Sequence, residues 1–182
     1  MSPSTRALIL VSLLVVLPDV TFAACSVSQD KKVIITDFMC GKYSQEPYYR
    51  KEGPGCVRAS MEARLFDSAV AIHNLSVCGY GQVADEYFEA AKVTNSVLQS
   101  LSTCTTEQLG EGELDLLLAA QVDEVKKQAG DTKCVGQLQK KTVANVPRIK
   151  GEIYQIQGGG LAEQLTSGLG ISISTDGNIS ER

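Results

Sequence analysis

Tryptophan is absent from this 182-residue chain, histidine occurs once, at His73, and aromatic residues of all kinds make up only 5% of it. A lone histidine cannot form the paired imidazole sites that hold most catalytic metals, and no Asp, Glu or Cys stands near it at a ligand spacing. The close cysteine spacings are missing too. With no CC, CxC or CxxC anywhere, neither a zinc site nor a thioredoxin-like redox pair is expected. No GxSxG elbow positions a serine, and no HExxH cluster offers zinc-assisted hydrolysis. The triplet starting at Gly158 is not followed by the Lys-Ser/Thr of a phosphate loop. Gly81–Glu89 (GQVADEYFE) is acid-rich, yet it lacks the alternating oxygen ligands and the glycine of an EF-hand. Two carboxylates could still meet from distant helices, but no pair is singled out. These absences lead us to expect no enzyme, no metal and no cofactor.

Strong charge of one sign is also lacking. A net charge of −4 supports neither nucleic-acid binding nor a cationic membrane-lytic role. The basic stretch Lys126–Lys150 reads as a solvated helix face, since nothing aromatic or glycine-rich accompanies it. One apolar run stands out, Ala7–Leu17 (ALILVSLLVVL), after a polar start that carries Arg6. It is too short for a permanent membrane span and is followed by Pro18 and by small residues, Thr21 and Ala23, at the −3 and −1 positions. Residues 1–23 are therefore expected to be a secretory signal peptide. No later segment is apolar enough to span a bilayer, and the polar C-terminus does not fit a lipid-anchor signal.

All six cysteines, Cys25, Cys40, Cys56, Cys78, Cys104 and Cys134, follow that signal. An even number on an exported chain predicts three disulfides, with fifteen pairings open. Two Asn-x-Ser sequons, at Asn74 and Asn178, are candidate glycosylation sites.

Helical periodicity organises residues 24–146. Ser28–Tyr43 mixes a capping serine with a β-branched run, and we assign it to helix because no strand partner of similar quality exists. Ser44–Gly55, with two prolines and two glycines, is a loop. In Val57–Leu75 the residues Val57, Met61, Leu65, Ala69 and Ile72 share one face; that register puts Asn74 opposite the stripe and His73 on its flank, towards solvent. Val83–Cys104 has the clearest seam, Val83, Tyr87, Ala90, Thr94, Val97, Leu101 and Cys104. Glu113–Ala129 is leucine-rich around more than half its circumference, which suits the middle of a bundle. A further helix is expected from Thr132 to about Ala144, ended by Pro147. Residues 147–182, rich in glycine and poor in aromatics, read as a flexible tail with two short strand-like pieces that do not pair.

The chain also departs from two secreted, helical, six-cysteine families. The Cys-x3-Cys pair of insect odorant-binding proteins is absent, as are the histidine-rich, copper-capturing ends of arthropod antimicrobial proteins such as microplusin. No property of either is carried over. The expected fold is an all-α, irregular, disulfide-braced bundle of four to five helices with a flexible C-terminal tail. The expected function is that of a secreted, non-enzymatic interaction protein acting on a macromolecular partner outside the cell. The alternative is an extracellular carrier of a small apolar ligand, with Val97, Leu101, Leu114, Leu117 and Leu118 available to line its site. No feature of the sequence sets an oligomeric state.

Overall fold

The computed structural model describes residues 24–182; the expected signal peptide lies outside the described residues. Six helices follow in order: α1 (Gln29–Met39), α2 (Cys56–Val77), α3 (Gly81–Ser102), α4 (Glu113–Ala129), α5 (Gly136–Gln157) and α6 (Gly160–Leu169). A 3-10 turn, Pro47–Tyr49, interrupts the loop between α1 and α2. Three short strands, β1 (Cys25–Ser26), β2 (Ile171–Ile173) and β3 (Ile179–Glu181), form a sheet in the order β1-β3-β2. The all-α, disulfide-braced class is as expected, with six helices instead of four or five.

Three disulfides join Cys25 to Cys104, Cys40 to Cys56 and Cys78 to Cys134. The last two each close a connection between helix ends. The first ties the start of the described chain to the end of α3. Cys40 and Cys56 sit where α1 ends and α2 begins, and the start of α2 lies at the same end of the bundle as Cys104: the Glu107 carboxylate accepts from the Gly55 and Arg58 amides at 2.8 and 3.4 Å. That carboxylate also satisfies amides left open at a helix start. Both ends of α1 are thus fastened to one end of the α2–α3 pair, and α1 lies across that end. Its inward residues, Ile35 and Met39, are fully buried. By loop-closure entropy the 16-residue bridge contributes about 3 kcal/mol and the 79-residue bridge about 4.5 kcal/mol.

The helix at the centre is α2, not α4. It packs against α1, α3, α4, α5 and the 3-10 turn. Val57, Met61, Leu65, Ala69 and Ile72 are buried as their period requires, with Leu75 in the same register as Val57, and so are Ser60 and His73 on the two flanks of that stripe. His73 is therefore an interior residue, 6% exposed, with no hydrogen-bond partner at Nε2. The surface position expected for it is corrected. α4 buries Leu114, Leu118, Val122 and Val125 on one side and leaves Leu116 73% exposed.

The end of the chain also differs from expectation. α5 runs through Pro147 to Gln157. Proline removes the amide that would bond to the Val143 carbonyl, but Val143 and Pro147 both face water, so that carbonyl can be hydrated. Across the proline, Ile149 and Ile153 are buried and Val146 and Ile156 pack against the core, a spacing of three, four and three on one face. The strand-like reading of Gly151–Gln157 is thus replaced by helix. The second piece, Ile171–Ile173, is a strand and it does pair, antiparallel with β3, while β3 pairs parallel with β1. Ile171 and Ile179 are almost fully buried, at 0% and 1%. The 147–182 segment is a folded part of the molecule.

Replacing Ile179 with Ala should cost about 2–5 kcal/mol through the cavity it leaves, read by urea unfolding with the disulfides intact. A variant as stable as the parent would mean that β3 is not held against the core.

Candidate functional site

Helical spacing brings one face of α2 (Met61, Arg64, Leu65, Ser68 and Ala71) opposite one face of α3 (Tyr87, Ala91, Thr94, Asn95 and Leu98). Between them lies a half-open cleft of about 600 Å³. Leu114 of α4 contributes to its lining, α5 adds Arg148, Glu152 and Ile156, and α6 adds Leu161 and Leu165. Phe38 and Tyr49 also border it. Apolar side chains dominate the wall, and the charged groups are few.

Each of those groups has an identifiable environment. The Tyr49 hydroxyl donates to Asp67 Oδ2 at 2.5 Å. Burial pushes both the Tyr49 phenol and the Asp67 carboxyl up, Glu46 adding to the shift of each. Burial likewise raises the Tyr87 phenol, with the nearby Glu152 acting in the same sense, so that it is a neutral hydrogen-bonding group at physiological pH. Arg148 pairs with Glu152 one turn along α5. Asn95, 4% exposed, donates to Asp115 at 2.9 Å. Ser68 gives its hydroxyl to the Arg64 carbonyl at 3.2 Å.

Arg64 is the exception. Its guanidinium carbon stands 5.0 Å from the centre of the Tyr49 ring and 6.0 Å from that of Phe38, within the range of cation–π attraction. Yet its Nε is buried without an acceptor, and among the described residues it forms no ion pair. Burial works against its charge.

Tyr49 reaches the cleft because of the turn that precedes it. Gly41 has φ +77°, and a Cβ there would collide with the Tyr49 carbonyl oxygen. The Lys51 amide bonds back to the Cys40 carbonyl at 2.9 Å, and the Cys40–Cys56 bridge closes the loop.

The residues expected to line a ligand site are dispersed. Leu114 borders the cleft. Leu101 and Leu118 are fully buried in the core, and Val97 and Leu117 are half-buried against it. Of the sequons, Asn74 is half-buried on α2, and Asn178 is exposed just before β3, where its Oδ1 accepts from the Ala24 amide at 2.7 Å. Among the described residues no cluster of His, Cys, Asp and Glu could hold a metal ion, and no helix is long and apolar enough to cross a membrane. Arg64 was discoverable in advance, being adjacent to Leu65 and three residues from Met61 on the stripe. Tyr49, in a loop, gave no periodic signal.

Gly41→Ala and Gly53→Ala share the same positive φ, but only the first meets backbone. Gly53→Ala should cost about 1–2 kcal/mol, and Gly41→Ala about 4 kcal/mol or more, in thermal unfolding. Equal losses would show that the turn can yield. Comparisons of the chain with protein-family models, with curated proteins and with solved structures found no match.

Proposed function

We propose that this is a secreted, non-enzymatic binding protein that holds a small, mainly apolar ligand between its helices. The observation that carries the reading is the cleft of about 600 Å³ bordered by α2, α3, α5 and α6. Its size falls within the usual range of small-molecule sites, and it has their mixture of apolar wall and a few polar groups. Export is supported by three disulfides, which persist in oxidising compartments, together with the signal-like start of the chain. Exposed Asn178 is the better placed of the two sequons for a glycan, since it lies in a turn.

A second reading, an effector that meets a macromolecular partner, is favoured by one feature. Val143 and Tyr154 are 48% and 80% exposed and lie three helical turns apart on one face of α5. Small apolar ligands explain the cleft, whereas a partner protein would explain this face.

The uncharged dye N-phenylnaphthylamine should brighten on addition of the mature protein, with about one site per chain. Ala71→Phe, which fills the cleft, should abolish the signal, and Ala119→Phe, on the exposed side of α4, should leave it intact. Dye binding that survives Ala71→Phe, or no binding by the parent protein, would count against a ligand in this cleft. If a partner captured from extracellular fluid were lost on Tyr154→Ala, the second reading would be favoured.

A further inference from the structure

Resting on the reading of the cleft as a ligand site, we propose that its ligand is a long-chain carboxylate, with the acid group against Arg64 and the hydrocarbon chain along the apolar wall.

The argument begins with the charges in the cleft. Asp67 is committed to the Tyr49 hydroxyl at 2.5 Å, and Arg148 and Glu152 are committed to each other. Arg64 is left over. Among the described residues no acid lies within ion-pair distance of its guanidinium, and its Nε has no acceptor. The rings of Tyr49 and Phe38 offer a cation attraction, but they do not satisfy N–H donors. A half-buried guanidinium with open donors is costly unless an acceptor arrives. An anion in the cleft supplies the opposite charge, and a carboxylate matches the planar donor fork of the guanidinium.

The remainder of the lining selects what is attached to the acid. From Arg64 the wall continues over Leu65, Leu98, Leu114, Ile156, Leu161 and Leu165, supplied by five helices. A small free anion would leave this surface wet, and an uncharged hydrocarbon would leave Arg64 unpaired. An amphiphile uses both. A head group of higher charge is disfavoured because the other cation of the cleft, Arg148, already has its acid and because Asp67 faces the same space. A phospholipid-type phosphate therefore fits less well than a single carboxylate.

Competition on the full mature protein tests this. Displacement of bound cis-parinaric acid by hexadecanoate is compared with displacement by hexadecanol and by hexadecyl phosphate. The parent should prefer hexadecanoate over hexadecanol by about tenfold or more, as expected for a charge-assisted hydrogen bond, and over hexadecyl phosphate as well. Arg64→Met should bring acid and alcohol to equal affinity while the alcohol still binds, and Arg64→Lys should recover part of the preference. Equal affinity of acid and alcohol for the parent, or an undiminished preference in Arg64→Met, would overturn the assignment of Arg64 while leaving the cleft a ligand site. A preference for the phosphate would overturn the carboxylate. Failure of the parent to bind any of these chains, or the neutral dye, would remove the cleft reading itself. The comparison on the parent protein decides the matter even if an Arg64 variant does not fold.

Discussion

A helix enclosed by neighbours must bury the polar residues its sequence carries, along with the apolar ones. α2 is in that position, packed by four helices and a turn. Its leucine, methionine and isoleucine stripe supplies the apolar burial that holds the bundle together, at roughly 25 cal/mol per Å² removed from water. The same enclosure draws Ser60, His73 and the stem of Arg64 inwards. Ser60 Oγ, His73 Nε2 and Arg64 Nε have no hydrogen-bond partner, an uncommon expense for a native interior. Of the three residues only Arg64 borders the cleft, and its guanidinium carries a permanent charge; this singles the cleft out from the rest of the interior.

The bracing follows from the same arrangement. Short strands and an 11-residue α1 have little surface with which to hold themselves against α2, so they are fastened covalently. Each bridge restrains a segment that packing alone would hold weakly: Cys25–Cys104 holds β1, Cys40–Cys56 the loop that carries Tyr49, and Cys78–Cys134 the entry to α5. The wide spacing of the cysteines along the chain, which argued against metal binding, is the spacing needed to join helix ends.

How much of this was legible in the residues depended on how many sides of each element are covered. α3 and α4 have a clear inner face, and their limits could be read to within a residue or two from periodicity. α2 could be located and its inner face identified, but not the burial of its flanks, because a stripe marks the most apolar side of a helix and says nothing about further neighbours. His73 was misread for that reason. α5 was cut short because proline is a helix terminator when its missing hydrogen bond is buried, and at Pro147 it faces water. The strand pairing of Ile171–Ile173 could not be found by local pattern, since β3 is only three residues long and β1 two. Of the residues offered for a ligand site only Leu114 borders the cleft, because Leu101 and Leu118 occupy the close-packed interior and Val97 and Leu117 pack half-buried against it. A cavity is the place where helices fail to meet, a property of their arrangement that no single segment encodes.

The parallel pairing of β1 with β3 has a kinetic consequence. Ala24 and Asn178 are in contact across 154 positions of sequence, and a ribosome adding about 5–20 residues per second takes about 8–30 seconds to bridge that distance. During that interval Cys25 emerges without the strand that will flank it, and Cys40, Cys56 and Cys78 all appear before its partner Cys104. Correct pairing therefore requires the earliest thiol to stay free, or its first bridge to be exchanged, until Cys104 has been made.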